Sequence, residues 1–152
     1  MLINLLLGCF TVFISMSIQV LVVVYMIRYL IRITNDEHRK TTGFGFDTYA
    51  ISVVLLILFV GHLAQVAIWA AIFMYLGEFN DFLTAFYHSA VNFASLGYGD
   101  IVMSEKWRLL GALEASNGVL MFGLSAGTLL SVMSHLFSRH KLVEAIKDND
   151  AD

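Results

Sequence analysis

The segment FNDFLTAFYHSAVNFASLGYGD, residues 79–100, decides the fold. Residues 82–93 carry apolar side chains at helical spacing behind an Asp81 placed to cap the helix, and they run into a glycine-rich turn. A helix of that length reaches about 18 Å, too short to cross a bilayer, which takes roughly 20 apolar residues. The segment is also too apolar for a solvated loop. A short helix that enters a membrane and returns as extended backbone is tolerated only where protein or a water-filled pore satisfies that backbone. Such a segment needs neighbours that wall a pore.

Those neighbours lie on either side. Residues 49–76 and 107–137 are each apolar enough and long enough to span, and so is a first stretch, residues 1–33, with no charge before Arg28. That first stretch lacks a basic leader and a small-x-small cleavage site, so it reads as a retained span and not as a signal peptide. The expected fold class is an all-α membrane protein. It comprises an additional N-terminal transmembrane helix (1–33), a cytoplasmic linker (34–48), a pore domain (49–137) and a short cytoplasmic tail (138–152). Within the pore domain lie an outer helix (49–76), a re-entrant pore helix (82–93), a carbonyl-bearing strand (95–100) and an inner helix (107–137).

Composition points the same way. The 152 residues are 59% hydrophobic and 14% charged, with mean hydropathy +0.77, against about 45–50% apolar and about 25% charged in soluble domains. A net charge of −3 offers no basic field for nucleic acid. The one cysteine, Cys9, excludes an intrachain disulfide and a Cys-based zinc site. No cofactor and no small-molecule substrate is expected. Proline is absent, so the helices should run unbroken, with bends left to glycine. Seven of the nine basic residues, Arg28, Arg32, Arg39, Lys40, Arg139, Lys141 and Lys147, flank one side of the spans, and Lys106 and Arg108 flank the other. The first group is expected to be cytoplasmic, which puts the amino terminus and the re-entrant segment outside and the carboxyl terminus inside. Arg28 and Arg32 sit at the membrane edge, so a voltage-sensing span has little support.

Ser95-Leu96-Gly97-Tyr98-Gly99-Asp100 carries the chemistry. Gly97 and Gly99 reach backbone conformations closed to other residues, so successive carbonyls can face one side while Tyr98 packs outward. A row of carbonyls replaces an ion's water shell. One chain supplies one strand, so several copies must meet around an axis. The carboxyl end of helix 82–93 would aim at that axis, and its partial negative charge favours a cation.

This segment resembles the selectivity filter of potassium channels. Phe86-Tyr87-His88-Ser89 through Asp100 is similar to the pore helix and filter of bacterial inward-rectifier channels. Glu114, Gly118 and Leu124-Ser125-Ala126-Gly127 fall at spacings similar to that family's inner helix. The resemblance covers roughly residues 49–133 and implies a homotetramer in a bilayer, that of a bacterial inner membrane. It implies passive conduction of K+ with no bond made or broken, the ions held by carbonyls of Ser95, Leu96, Gly97, Tyr98 and Gly99. Asp100 and Glu114 then support the filter. Matching Gly118 to the family's inner-helix glycine turns Phe122, Ala126 and Leu130 toward the cavity, as hydrophobic rings that gate by dewetting.

The departures are explicit. Ser95 and Leu96 stand where the family has threonine and a β-branched residue, and Val91 stands where many relatives have glutamate. The first span and the 15 or so residues after the third lie outside the pattern. Gly118, Gly123 and Gly127 read either as hinge or as close-packing positions. His62, Gln65, Glu114 and Asn117 are the polar groups inside spans: Glu114 reads as a brace behind the filter or as an acid satisfied by Asn117 or a carbonyl, His62 as an interhelical hydrogen-bond partner in preference to a pH sensor, and His88 as packed in preference to titrating. Two rivals stay open: a weakly selective cation channel, and a non-conducting structural subunit. An enzyme would need His62 and Glu114 at one depth, and their helical positions argue against it.

Overall fold

With no proline to interrupt them, the three apolar stretches form three long helices. The computed structural model describes residues 2–34 and 44–149, with side chains over 2–32 and 45–138. It is all-helical, in the order α1 (Leu2–Thr34), α2 (Phe44–Tyr75), α3 (Phe82–Phe93) and α4 (Arg108–Asn149). The stretches Leu2–Arg32, Gly45–Tyr75 and Arg108–Ser138 are long and apolar enough to cross a membrane, at 31 residues each. At 1.5 Å per residue that is about 46 Å, more than the hydrocarbon core of about 30 Å, so their ends reach the headgroup regions.

Two helix ends differ from the sequence reading. α2 begins at Phe44, five residues before the expected start, and α4 continues through the expected tail to Asn149. Hydropathy marks where a membrane ends, not where a helix ends. The sequence after Ser138 contains neither proline nor glycine to stop it. Residues 35–43 of the expected linker, with Arg39 and Lys40, lie outside the described residues, as do the side chains of Arg139, Lys141 and Lys147.

α1 and α4 run alongside each other with α2 antiparallel between their flanks, and the packing divides into three layers. Toward the α1 carboxyl end, Met26 and Leu30 meet Ala50, Val54 and Leu58 of α2 and Val132 and Leu136 of α4. Toward the other end, Val66, Trp69 and Phe73 of α2 enclose Phe93 of α3 with Leu110 and Met121 of α4. Between these apolar layers lies a polar belt. Gln65 Nε2 donates to Gln19 Oε1 at 2.7 Å, Gln19 Nε2 donates to Ser125 Oγ at 3.0 Å, and His62 Nε2 lies 3.0 Å from the same Ser125 hydroxyl. The belt takes one polar position from each spanning helix and a second from α2. A side-chain hydrogen bond in a membrane interior averages about 0.6 kcal/mol, so the belt fixes the register of the three helices more than it adds to stability.

Candidate functional site

α3 is set by its two ends. Asp81, extended at φ −133° and ψ 149°, accepts a hydrogen bond from the Thr84 backbone N–H at 2.8 Å and caps the first turn as the sequence leads one to expect. At the other end Ser95 N–H bonds Asn92 O at 2.8 Å and Leu96 N–H bonds Val91 O at 2.9 Å. That pair of bonds is a Schellman closure with Ser95 in the left-handed position, at φ 57°. Glycine usually occupies that position. Here the chain keeps a hydroxyl in it.

Beyond the cap, positive φ recurs at every second residue: Ser95 at 57°, Gly97 at 59° and Gly99 at 74°, while Leu96 and Tyr98 keep ordinary values. Alternating the sign of φ turns successive peptide planes so that their carbonyls stack on one side. Leu96 and Tyr98 are 54% and 65% exposed in the single chain.

The backbone that returns from residue 100 to α4 is tied down by side chains. Tyr87 O–H donates to Asp100 Oδ2 at 2.8 Å. That bond lowers the Asp100 carboxyl below its ordinary range and raises the Tyr87 phenol, so near neutral pH the pair is a carboxylate and a phenol. His88 Nδ1 lies 3.0 Å from the Ile101 carbonyl. Ser104 gives its N–H and its hydroxyl to the two carboxylate oxygens of Glu78 at 2.7 and 2.6 Å. Asn4 of α1 donates to the Lys106 carbonyl. Four side chains, from α1, α3 and the α2–α3 turn, thus hold the strand that follows Asp100.

Behind α3 stands α4. Glu114, fully buried, meets the Ser89 hydroxyl, which also lies 2.9 Å from the Val66 carbonyl. A hydroxyl has one hydrogen and a carbonyl supplies none, so both contacts are hydrogen bonds at once only when Glu114 donates to Ser89 Oγ. Glu114 therefore joins α3 to α2 and α4 from the rear. Asn117, fully buried, does not partner it, and neither Asn117 side-chain atom has a hydrogen-bond partner among the described residues. One turn on, Gly118 touches the end of α3. A Cβ at position 118 would lie 1.9 Å from Phe93 O and 2.8 Å from Phe93 C. Of the two readings of this glycine, the geometry shows close packing.

The remaining positions are scattered. The Phe122 ring packs edge-on against His62 at 4.9 Å and against Phe93 at 5.6 Å. Ala126 borders a groove with Leu55, Leu58 and His62, and Leu130 is 65% exposed. Gly123 and Gly127 have open space where a side chain would stand. His62 and Glu114 engage different partners at different depths. Sequence reading passed over the buried stripe Asn4, Thr11, Ser15 and Gln19 of α1. Its signal was the spacing of seven, four and four in an otherwise apolar helix. It also passed over Ser89, Asn92, Glu78 and Ser104, whose roles depend on partners far away in the chain.

Residues 61–135 match the model of a family described as Ion channel. The match begins in α2 and takes in α3, the strand with alternating φ and most of α4. No curated protein and no solved structure matches the chain. The matched segment is similar to the ion-channel family and, with three helices able to span a bilayer, supports an integral membrane ion channel.

Proposed function

We propose that the chain is one subunit of a passive, potassium-selective channel, four copies of which place their Ser95–Gly99 strands around a common axis. The observation that carries this reading is the alternation of φ at Ser95, Gly97 and Gly99, directly after the carboxyl end of α3. Stacked carbonyls replace the hydration shell of K+, and the negative end of each α3 dipole favours a cation in the cavity below. The Ser95 hydroxyl closes the innermost position. Phe122, Ala126 and Leu130 line the path toward the cytoplasm, and Gly123 and Gly127 let α4 bend there. No cofactor takes part.

Purified full-length chain in liposomes is expected to pass K+ in a flux that barium blocks, with a reversal potential near that of K+ in mixed K+ and Na+. Equal permeation of both ions would instead make it a weakly selective pore. Absence of flux would make it a structural subunit.

The orientation proposed is amino terminus out and carboxyl terminus in, on the seven-to-two division of basic residues. In a Cys9→Ser background, an impermeant thiol reagent added outside intact cells should label Ser104→Cys and leave Asp148→Cys unlabelled. The reverse pattern overturns the orientation.

A further inference from the structure

His88 stands between the outgoing end of the filter and α4, with a defined partner at each ring nitrogen. Nδ1 lies 3.0 Å from the Ile101 carbonyl, which only accepts, so Nδ1 carries a hydrogen. Nε2 lies 2.8 Å from Asn92 Nδ2, an amide nitrogen, which only donates, so Nε2 is bare. The two partners together specify the neutral ring with its proton on Nδ1. The rings of Phe79 and Phe73, at 4.9 and 5.6 Å, hold the imidazole plane in place. Asn92 in turn rests on α4: its Nδ2 is the atom that a side chain at Gly111 would strike at 3.1 Å, and its amide approaches Glu114.

We propose that His88 is a positioning residue of the filter, that its neutral form links the Ile101 carbonyl to α4 through Asn92, and that a proton taken up from the outer solution breaks this link and lowers conduction. The proposal rests on the channel reading and assigns a regulator to the same site. The proton adds to Nε2. The Ile101 bond survives, because Nδ1–H still donates, but Nε2–H now faces the Asn92 amide hydrogens. The amide must turn over to present its oxygen, and its packing against Gly111 of α4 is undone. The Asn92 tie between α3 and α4 is lost, beside those that Ser89 and Gly118 make.

A route for the proton is present. His88 lines an open cavity of about 520 Å³ whose other walls include Gly97 and Gly99 of the filter. The charged groups that face the ring are Glu78 from the α2–α3 turn and Asp100 from the filter end, with Glu105 and Arg108 in the same cavity and Glu114 behind Asn92. Phe73, the α2 residue in contact, carries no charge. Burial lowers the His88 imidazole below its ordinary value, against smaller opposing contributions from the Ile101 bond, Asp100 and Glu78. The neutral link is therefore intact at neutral pH and is lost as the outer solution falls through a value below about 6.5.

The test uses the full chain in liposomes and varies external pH. Wild-type K+ flux should fall by about tenfold for each unit below the midpoint, following the neutral fraction. His88→Asn keeps an amide donor where Nδ1 stood and cannot titrate, so its flux should show no acid step. Asn92→Asp supplies an acceptor to Nε2–H and should raise the midpoint by about one unit or more. A wild-type flux flat to acid, or an equally steep fall in His88→Asn, overturns the proposal. Nitrogen NMR of the assigned His88 signal in the wild-type chain gives a readout that needs neither a variant nor conduction: the neutral ring should carry its proton on Nδ1. Finding it on Nε2 overturns the link. Failure of flux at neutral pH would count against the channel reading, while the NMR titration would still decide the state of His88.

Discussion

Alanine at position 118 is expected to abolish potassium flux, by more than any other single methyl added to α4. Its Cβ would stand 1.9 Å from the Phe93 carbonyl oxygen and 2.8 Å from the carbonyl carbon. Both are backbone atoms of the last turn of α3, so no rotamer relieves the contact. Either α4 or the end of α3 must withdraw by more than about 1 Å, and overpacking of that kind costs about 1–3 kcal/mol or more per site. The displacement falls immediately before Ser95, where the alternation of φ begins. Gly123→Ala and Gly127→Ala are the internal comparison, since among the described residues nothing beyond their own helix turns lies within 4 Å of either new Cβ. Liposome flux should be lost in Gly118→Ala and retained in the other two. Retained flux in Gly118→Ala would show that α3 and α4 are not in register in the conducting state.

Gly97→Ala should be nearly as severe for a different reason. Here a Cβ meets nothing within 4 Å, but φ is +59°. An L-residue held there costs roughly 1–2 kcal/mol, and four subunits would bring the total to about 4–8 kcal/mol in one ring. That exceeds what a filter can absorb without turning its peptide planes, so the expected outcome is loss of selective K+ flux with the assembly intact. D-Alanine introduced at position 97 by semisynthesis has the opposite hand and should restore flux. If L-alanine conducts as the parent does, the carbonyl row does not include this position.

The two positions differ in how far sequence discloses them. Gly97 sits in a local pattern of glycines around one aromatic, and its positive φ follows from that pattern. The short helix α3 was equally legible, because Asp81 and the turn after Phe93 are signals within a few residues of the ends they set. Gly118 was visible only as a glycine in a span, with hinge and packing equally open. What decides between them is a carbonyl 25 residues earlier, brought there by the return of the chain. Glu114 shows the same limit. Asn117, three residues on, was the partner its own helix offered, yet its partner is Ser89, on another helix. Average hydropathy located the spans and hid the face by which α1 is held, since the residues of that buried stripe scarcely change the mean of a 31-residue span.

The polar belt has a consequence for the order in which the protein is built. Gln19 and Gln65 are 46 residues apart, and Gln19 and Ser125 are 106 apart. During synthesis the first two spans leave the translocon long before the last, so a hairpin of α1 and α2 can close its amide contact while α4 is still being made. Gln19 then has an amide hydrogen left over in a lipid environment that supplies no acceptor, until Ser125 arrives beside it. The newborn hairpin is thereby a template with one open position, and α4 is the piece that fills it.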